Sequence, residues 1–165
     1  ERVPINDLKK ILEALSNLAE KKMSPEELSE AVRPAISSLL IQRVSSVHEA
    51  LNVSTFNPDL EQMLISMSQK SSSEGLLIDP NLAKQIIQSV VDVNEKMSAE
   101  NKSAVVVTSP LIRKDISILL RQHIEDVVVL AFTELPENKK VKVLATIGEK
   151  ILTEEKEQTN EHTTV

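Results

Sequence analysis

Near the start of the chain, apolar residues recur at spacings of three and four: Ile5, Leu8, Ile11, Leu12, Leu15 and Leu18, with Lys9, Lys10 and Glu13 between them. That period lays one stripe along one side of a helix and predicts an amphipathic helix over residues 5–21. A second helix is announced by Ser24-Pro25-Glu26-Glu27. The Ser24 hydroxyl can accept from an unpaired amide, Pro25 loses nothing in a first turn, and the Glu27 carboxylate can reach back to the Ser24 N–H. Leu28, Val32, Ala35, Ile36, Leu39 and Leu40 carry the apolar face on towards Arg43. Pro34 falls inside that run. It lacks an N–H and its ring crowds the preceding turn at a cost of about 3 kcal/mol, so a kink or break is expected there.

From residue 50 the pattern changes to β-prone apolar stretches alternating with helical ones, and the junctions repeat. Residues 51–56 meet Asn57-Pro58 and a helical run over 59–68. Residues 76–78 meet Asp79-Pro80 and a run over 81–96. Residues 104–107 meet Thr108-Ser109-Pro110 and a run over 111–124. Each reads as a strand, a capping residue, a proline in the first helical turn and a helix, which predicts helices opening at Pro58, Pro80 and Pro110. Three β-to-α junctions in succession imply an α/β architecture with some parallel pairing. Two further strands are expected at 126–135 and 140–147, closing as a β-hairpin around Pro136-Glu137-Asn138-Lys139. The unbroken Val127-Val128-Val129-Leu130 predicts a central strand covered on both faces, and the imperfect alternation of 141–147 a strand nearer an edge. Ser71–Gly75 reads as a surface loop, 98–103 as a polar connector, and 149–165, whose only large apolar residues before the C-terminal Val165 are Ile151 and Leu152, as a flexible tail.

The resulting expectation is an α/β chain, α+β overall, with a helical N-terminal lobe over 1–47 and an α/β lobe over 48–150. That second lobe should carry a mixed sheet of about five strands ending in the hairpin. A length of 165 residues suits one domain or two small lobes sharing a core. With Phe56 and Phe132 the only aromatics, the core must be built from Leu, Ile, Val, Ala and Met, and no surface is offered for stacking bases. A net charge of −6 without any basic stripe argues further against nucleic acid as a partner. The lack of cysteine excludes disulfides and thiolate metal sites and fits a cytosolic setting. No apolar run approaches the roughly 18 residues of a membrane span. Glu1-Arg2-Val3 lacks both methionine and signal-peptide character, which suggests a chain that begins inside a longer protein.

Candidate chemistry is sparse. Two glycines, Gly75 and Gly148, cannot write a phosphate-cradling loop or a dinucleotide fingerprint, so no cofactor is expected. His48, His123 and His162 have no metal-ligand spacing, and His123 suits a helix C-terminus electrostatically. Ser109 precedes a proline and reads as a cap, and no nucleophile elbow exists. Glu134 and Glu137 superficially pass for paired carboxylates, but their turn position reads as solvated charge. Met63 and Met67, at helical spacing with Leu60 and Leu64, read as part of a core face. No catalytic residue, metal ligand or enzyme activity is expected.

Three segments taken together resemble a known family. They are Glu1-Arg2-Val3-Pro4-Ile5-Asn6-Asp7-Leu8 running into Ile11-Leu12-Glu13; Leu28 with Ala31-Val32-Arg33; and Val129-Leu130, Glu134-Leu135-Pro136 and Val143-Leu144-Ala145-Thr146-Ile147-Gly148. In this order they are similar to the type III secretion and flagellar export gate family. Two departures stand out: Pro34 interrupts a helix that usually continues, and Ala131-Phe132-Thr133 replaces a commoner Ser-Tyr-Asn. The resemblance implies a membrane-embedded N-terminal part outside this chain and a cytosolic part at the cytoplasmic face of the bacterial inner membrane. It also implies a homo-oligomeric, nonameric ring that docks export chaperone–substrate complexes and other export-apparatus proteins. This chain would hold most of the third, helical subdomain and all of the fourth. Because such rings are held largely through the third subdomain, subunit or partner contacts are expected from Arg33, Arg43, Glu27 and Glu30, with Arg33 foremost for its planar fork. The competing reading is a free-standing α/β adaptor or regulatory domain. A receiver-like version of it lacks the clustered acidic residues such domains need, Asp79 standing alone.

Overall fold

The computed structural model describes residues 7–46, 49–70, 76–98 and 105–148. Readings that fall on 1–6, on the 47/48 boundary, on 71–75, on 99–104 and on the tail from 149 lie outside the described residues.

The first helix, α1 (Leu8–Leu18), opens on Asp7, whose carboxylate accepts from the Lys10 N–H at 3.3 Å. It is shorter than its apolar period, because a turn closes at once, with Lys21 N–H bonded to the Leu18 carbonyl. The next, α2 (Pro25–Val32), carries the anticipated capping box. Glu27 N–H donates to Ser24 Oγ at 3.2 Å, and Ser24 N–H donates to Glu27 Oε2 at 2.8 Å. Pro34 then tightens the chain into a 3₁₀ turn (Arg33–Ile36), after which α3 (Ser37–Gln42) resumes.

The remaining elements are β1 (Leu51–Phe56), α4 (Pro58–Lys70), α5 (Pro80–Ser98), β2 (Val105–Thr108), α6 (Arg113–Arg121), β3 (Val128–Ala131), a 3₁₀ turn (Phe132–Glu134) and β4 (Val141–Ile147). Asn57 Oδ1 accepts from Asp59 N–H at 2.9 Å, and Asp79 Oδ1 accepts from Asn81 and Leu82, so the first two cap–proline junctions form as read. The third differs. Pro110–Ile112 spend a turn on the Ser109 carbonyl, which accepts from Ile112 and Arg113, and α6 starts only at Arg113.

The four strands lie in the order β3-β2-β1-β4 and every pairing is parallel. A parallel sheet needs both faces covered. On one face Phe56, Val106, Val129 and Ile147 meet Leu60 and Leu64 of α4, Ile86 and Val90 of α5, and Ile116 and Leu120 of α6. On the other, Leu51, Val53, Val105, Val107 and Leu130 meet Leu40 and Ile41 of α3, with Leu135 alongside. The helical segment is therefore the third layer. At about 1.5–3 kcal/mol for each fully buried aliphatic side chain, Leu40 and Ile41 fasten it to the sheet.

Several expectations are corrected here. Among the described residues the sheet is parallel and four-stranded, not mixed and five-stranded, and 126–135 and 140–147 do not pair as a closing hairpin: β3 and β4 occupy opposite edges. Residues 76–78 form no strand; Leu76 and Ile78 pack instead as loop residues on the helix-covered core. The Val127–Leu130 run is covered on both faces yet sits at an edge rather than in the centre. After Ala131 the chain turns through Phe132–Glu134 and returns across the α3 side of the sheet, where Leu135 is packed. Lys139 Nζ is tied to Ser45 Oγ at 3.0 Å and the Ser46 carbonyl at 2.6 Å. The β4 edge was read correctly.

The sheet ends on Gly148, with φ +95°. A Cβ there would overlap Leu60 Cδ2, and Leu60 is wholly buried. Both the left-handed backbone and the close approach require glycine.

Candidate functional site

Charged side chains buried inside an aliphatic protein must be paired, and those buried among the described residues, Arg33, Arg113 and Glu134, converge on one place. The 3₁₀ turn forced by Pro34 aims Arg33 inward, leaving it 5% exposed. Its Nε donates to Glu134 Oε1 in a short contact, and one terminal nitrogen reaches both Glu134 Oε2 and the Val129 carbonyl at 3.4 Å. Glu134, 2% exposed, also accepts the Ala131 N–H at 2.9 Å. At the first residue of α6, Arg113 is 1% exposed and grips Glu30 of α2 with two parallel bonds, at 2.7 Å from Nε and 2.6 Å from the second terminal nitrogen. Its other terminal nitrogen donates to the same Val129 carbonyl at 3.4 Å.

Two guanidinium forks and two carboxylates thus form a neutral cluster around one carbonyl of β3. The pairs join residues 101 and 83 positions apart, α2 and its 3₁₀ extension on one side, α6 and the 3₁₀ turn after β3 on the other. Forked guanidinium–carboxylate pairs are directional. The cluster therefore does what Leu40 and Ile41 cannot: it fixes the orientation of the helical layer on the sheet.

The four residues singled out from sequence take different places. Arg33 and Glu30 are engaged within the chain, in the cluster. Glu27 is exposed and belongs to the capping box, where the Ser24 amide and hydroxyl hold its carboxyl below the usual carboxylate range. Arg43 is exposed, just beyond α3, and lines a cavity of about 60 Å³ shared with Arg33, Ser117, Arg121 and Asp126. Glu134 is no solvated turn charge, whereas Glu137 is exposed as expected. Arg113 was missed. Its signal was present, since it falls three, four and seven residues before the buried Ile116, Ser117 and Leu120, a charged group on the apolar stripe of α6.

A second feature lies beside the cluster. An apolar groove of about 740 Å³ runs between α1, α2 and α6, lined by Ile11, Leu15, Leu28, Val32, Ile36 and Ile118. No residue of α1 is buried, and Leu8 and Leu12 are more than half exposed. Among the described residues no group of three or more His, Asp or Glu is placed to hold a metal ion, and no helix is long and apolar enough to cross a membrane.

Comparison with known proteins gives consistent matches. The model of the FHIPEP family matches residues 1–140. The flagellar biosynthesis protein FlhA of Borreliella burgdorferi is 32% identical over 149 residues, 89% of this chain and 21% of that protein. FlhA of Buchnera aphidicola is 30% identical over 148 residues, 90% of this chain and again 21% of the relative. The chain spans about a fifth of the length of these relatives. Among solved structures, the nonameric EscV cytosolic domain from the type III secretion system superposes with a TM-score of 0.71 at 29% identity, over 88% of this chain and 43% of that one.

Proposed function

The chain belongs to the FHIPEP family, and on that premise we propose that it is part of the cytosolic domain of a type III or flagellar protein-export gate. It acts there by binding, not by turnover, as a docking and ring-assembly module for export chaperones, their substrates and other export components at the cytoplasmic face of the inner membrane. The observation that carries this reading is the family match over residues 1–140, joined to the fold shared with a nonameric cytosolic domain at 29% identity.

The geometry adds support for an assembly role. A helix with a continuous apolar stripe and no buried residue, beside an apolar groove, is a surface built to be covered. With Arg33 and Glu30 committed to pairs within the chain, the ring contact of the helical layer falls on Leu8 and Leu12 of α1. Its occupant is a neighbouring copy, as the nonameric relative suggests. The test is electron microscopy of the encoded protein purified from the membranes of its native host, wild type beside Leu8→Glu/Leu12→Glu. Nine-fold rings in the wild type and their loss in a folded variant are expected. Wild-type particles without rotational symmetry would overturn the assembly role, and rings persisting in the variant would overturn the assignment to α1.

A further inference from the structure

The outer edge of β4 carries a pattern that neither the core nor the charge cluster uses. Along this strand Val141, Val143 and Leu144 are 41%, 55% and 41% exposed, on a sheet whose other strands are buried on the α3 side. Register assigns the faces. Val141 stands opposite Leu51 and Val143 opposite Val53, which face α3, while Lys142 stands opposite Asn52 and faces the other way, with Lys140 one repeat before it. Both lysines are exposed. The edge thus shows valines on one face and lysines on the other. The main chain is equally ordered. Leu51 N–H donates to the Lys140 carbonyl at 2.8 Å, so Lys140 and Lys142 direct their peptide groups at β1. By the alternation of a parallel ladder, Val141 and Val143 direct theirs outward, away from the sheet. The register shift opposite Val53/Ser54 leaves Leu144 as the extra residue and ends this offer.

We propose that the outer edge of β4, residues 140–144, is a docking site for an extended segment of a partner protein in which apolar and acidic residues alternate, added to the sheet as a fifth strand. The outward peptide groups of Val141 and Val143 supply the hydrogen bonds, the two valines receive the apolar side chains, and Lys140 and Lys142 receive the acidic ones. Opposite charges directly across a strand pair favour pairing and like charges disfavour it. The same rule rejects a second copy of this edge, since self-pairing would bring the lysines of one copy against those of the other. Basic residues gathered at this edge of a chain with net charge −6 therefore select an acidic strand and not its twin. The site is independent of the export reading: it follows from the sheet edge alone and would stand on an adaptor as well.

The probe is a terminally blocked seven-residue peptide of alternating glutamate and valine, titrated into the isotopically labelled full chain and followed by amide chemical shifts. A control peptide carries lysine for glutamate. Saturable shifts confined to residues 140–144 and their β1 neighbours are expected with the acidic peptide and absent with the basic one. Val143→Pro removes only an N–H outside the ladder to β1, and should weaken binding about five- to tenfold. Lys140→Glu/Lys142→Glu should exchange the preference between the two peptides. No shifts at 140–144, equal binding of both peptides, or indifference to Val143→Pro in a folded variant would each overturn the proposal. So would concentration-dependent self-association that Val143→Pro abolishes.

Discussion

Replacing Glu134 by alanine takes from the Arg33 guanidinium, 5% exposed, the buried carboxylate it is forked to. Two unit charges about 4 Å apart at an effective dielectric of 20 attract by about 4 kcal/mol. Burial this deep lets water recover little of that. The Ala131 N–H loses its acceptor in the same step, although the turn could re-expose it to solvent. Removing one partner of a buried pair typically costs about 3–5 kcal/mol, so Glu134→Ala should cost that much, and Arg33→Met a comparable amount by leaving the carboxylate behind. The double variant Arg33→Met/Glu134→Leu has no stranded charge and should lie near the wild type or above it. With no tryptophan or tyrosine to report, unfolding is followed by far-ultraviolet circular dichroism in urea. A 3–5 kcal/mol loss shifts the midpoint by about 1 M or more at ordinary slopes. Singles costing less than about 1 kcal/mol, or a double equal to their sum, would show a pair behaving as if solvated and not as a buried one.

Gly148→Ala should destabilise by about 1–3 kcal/mol, because the left-handed backbone and the overlap with Leu60 add; urea midpoints within error of wild type would contradict the close approach. The capping box predicts a pH dependence. Since folding lowers the Glu27 pKa through its bonds to Ser24, its contribution is fully present above the ordinary carboxylate range and is lost as pH falls through the lowered value. Glu27→Gln should therefore be less stable than wild type near neutrality, and the gap should close in acid. A gap constant with pH would count against it.

Local chemistry was legible because it depends on neighbours in sequence. Ser24 with Glu27, Asn57 with Pro58, and Asp79 with Pro80 form the caps their order dictates, and Pro34 breaks its helix. Pairing was not legible. Alternation tells which face a residue takes, not which strand lies beside it, so residues 132–140 passed for a hairpin although they carry the chain from one edge of the sheet to the other. Residues 76–78 are apolar and β-prone but have no strand partner, and burial of Leu76 and Ile78 from a loop satisfies them equally well. The cluster was half legible. Arg33 and Glu30 were noticed as interface residues, yet their partners Glu134 and Arg113 lie 101 and 83 residues away, beyond what spacing can report. What turned Arg33 inward is the tightened turn at Pro34, read from the sequence only as a kink or break.

Membership of an export gate is tested most directly by secretion. Residues 7–148 are deleted in frame from the gene in the native host, and export substrates in the culture medium are quantified beside those retained in the cells. Substrates are expected to disappear from the medium and accumulate inside, while the truncated protein is still produced, and the full gene supplied in trans is expected to restore export. Undiminished substrate in the medium, with the deletion verified, would contradict it.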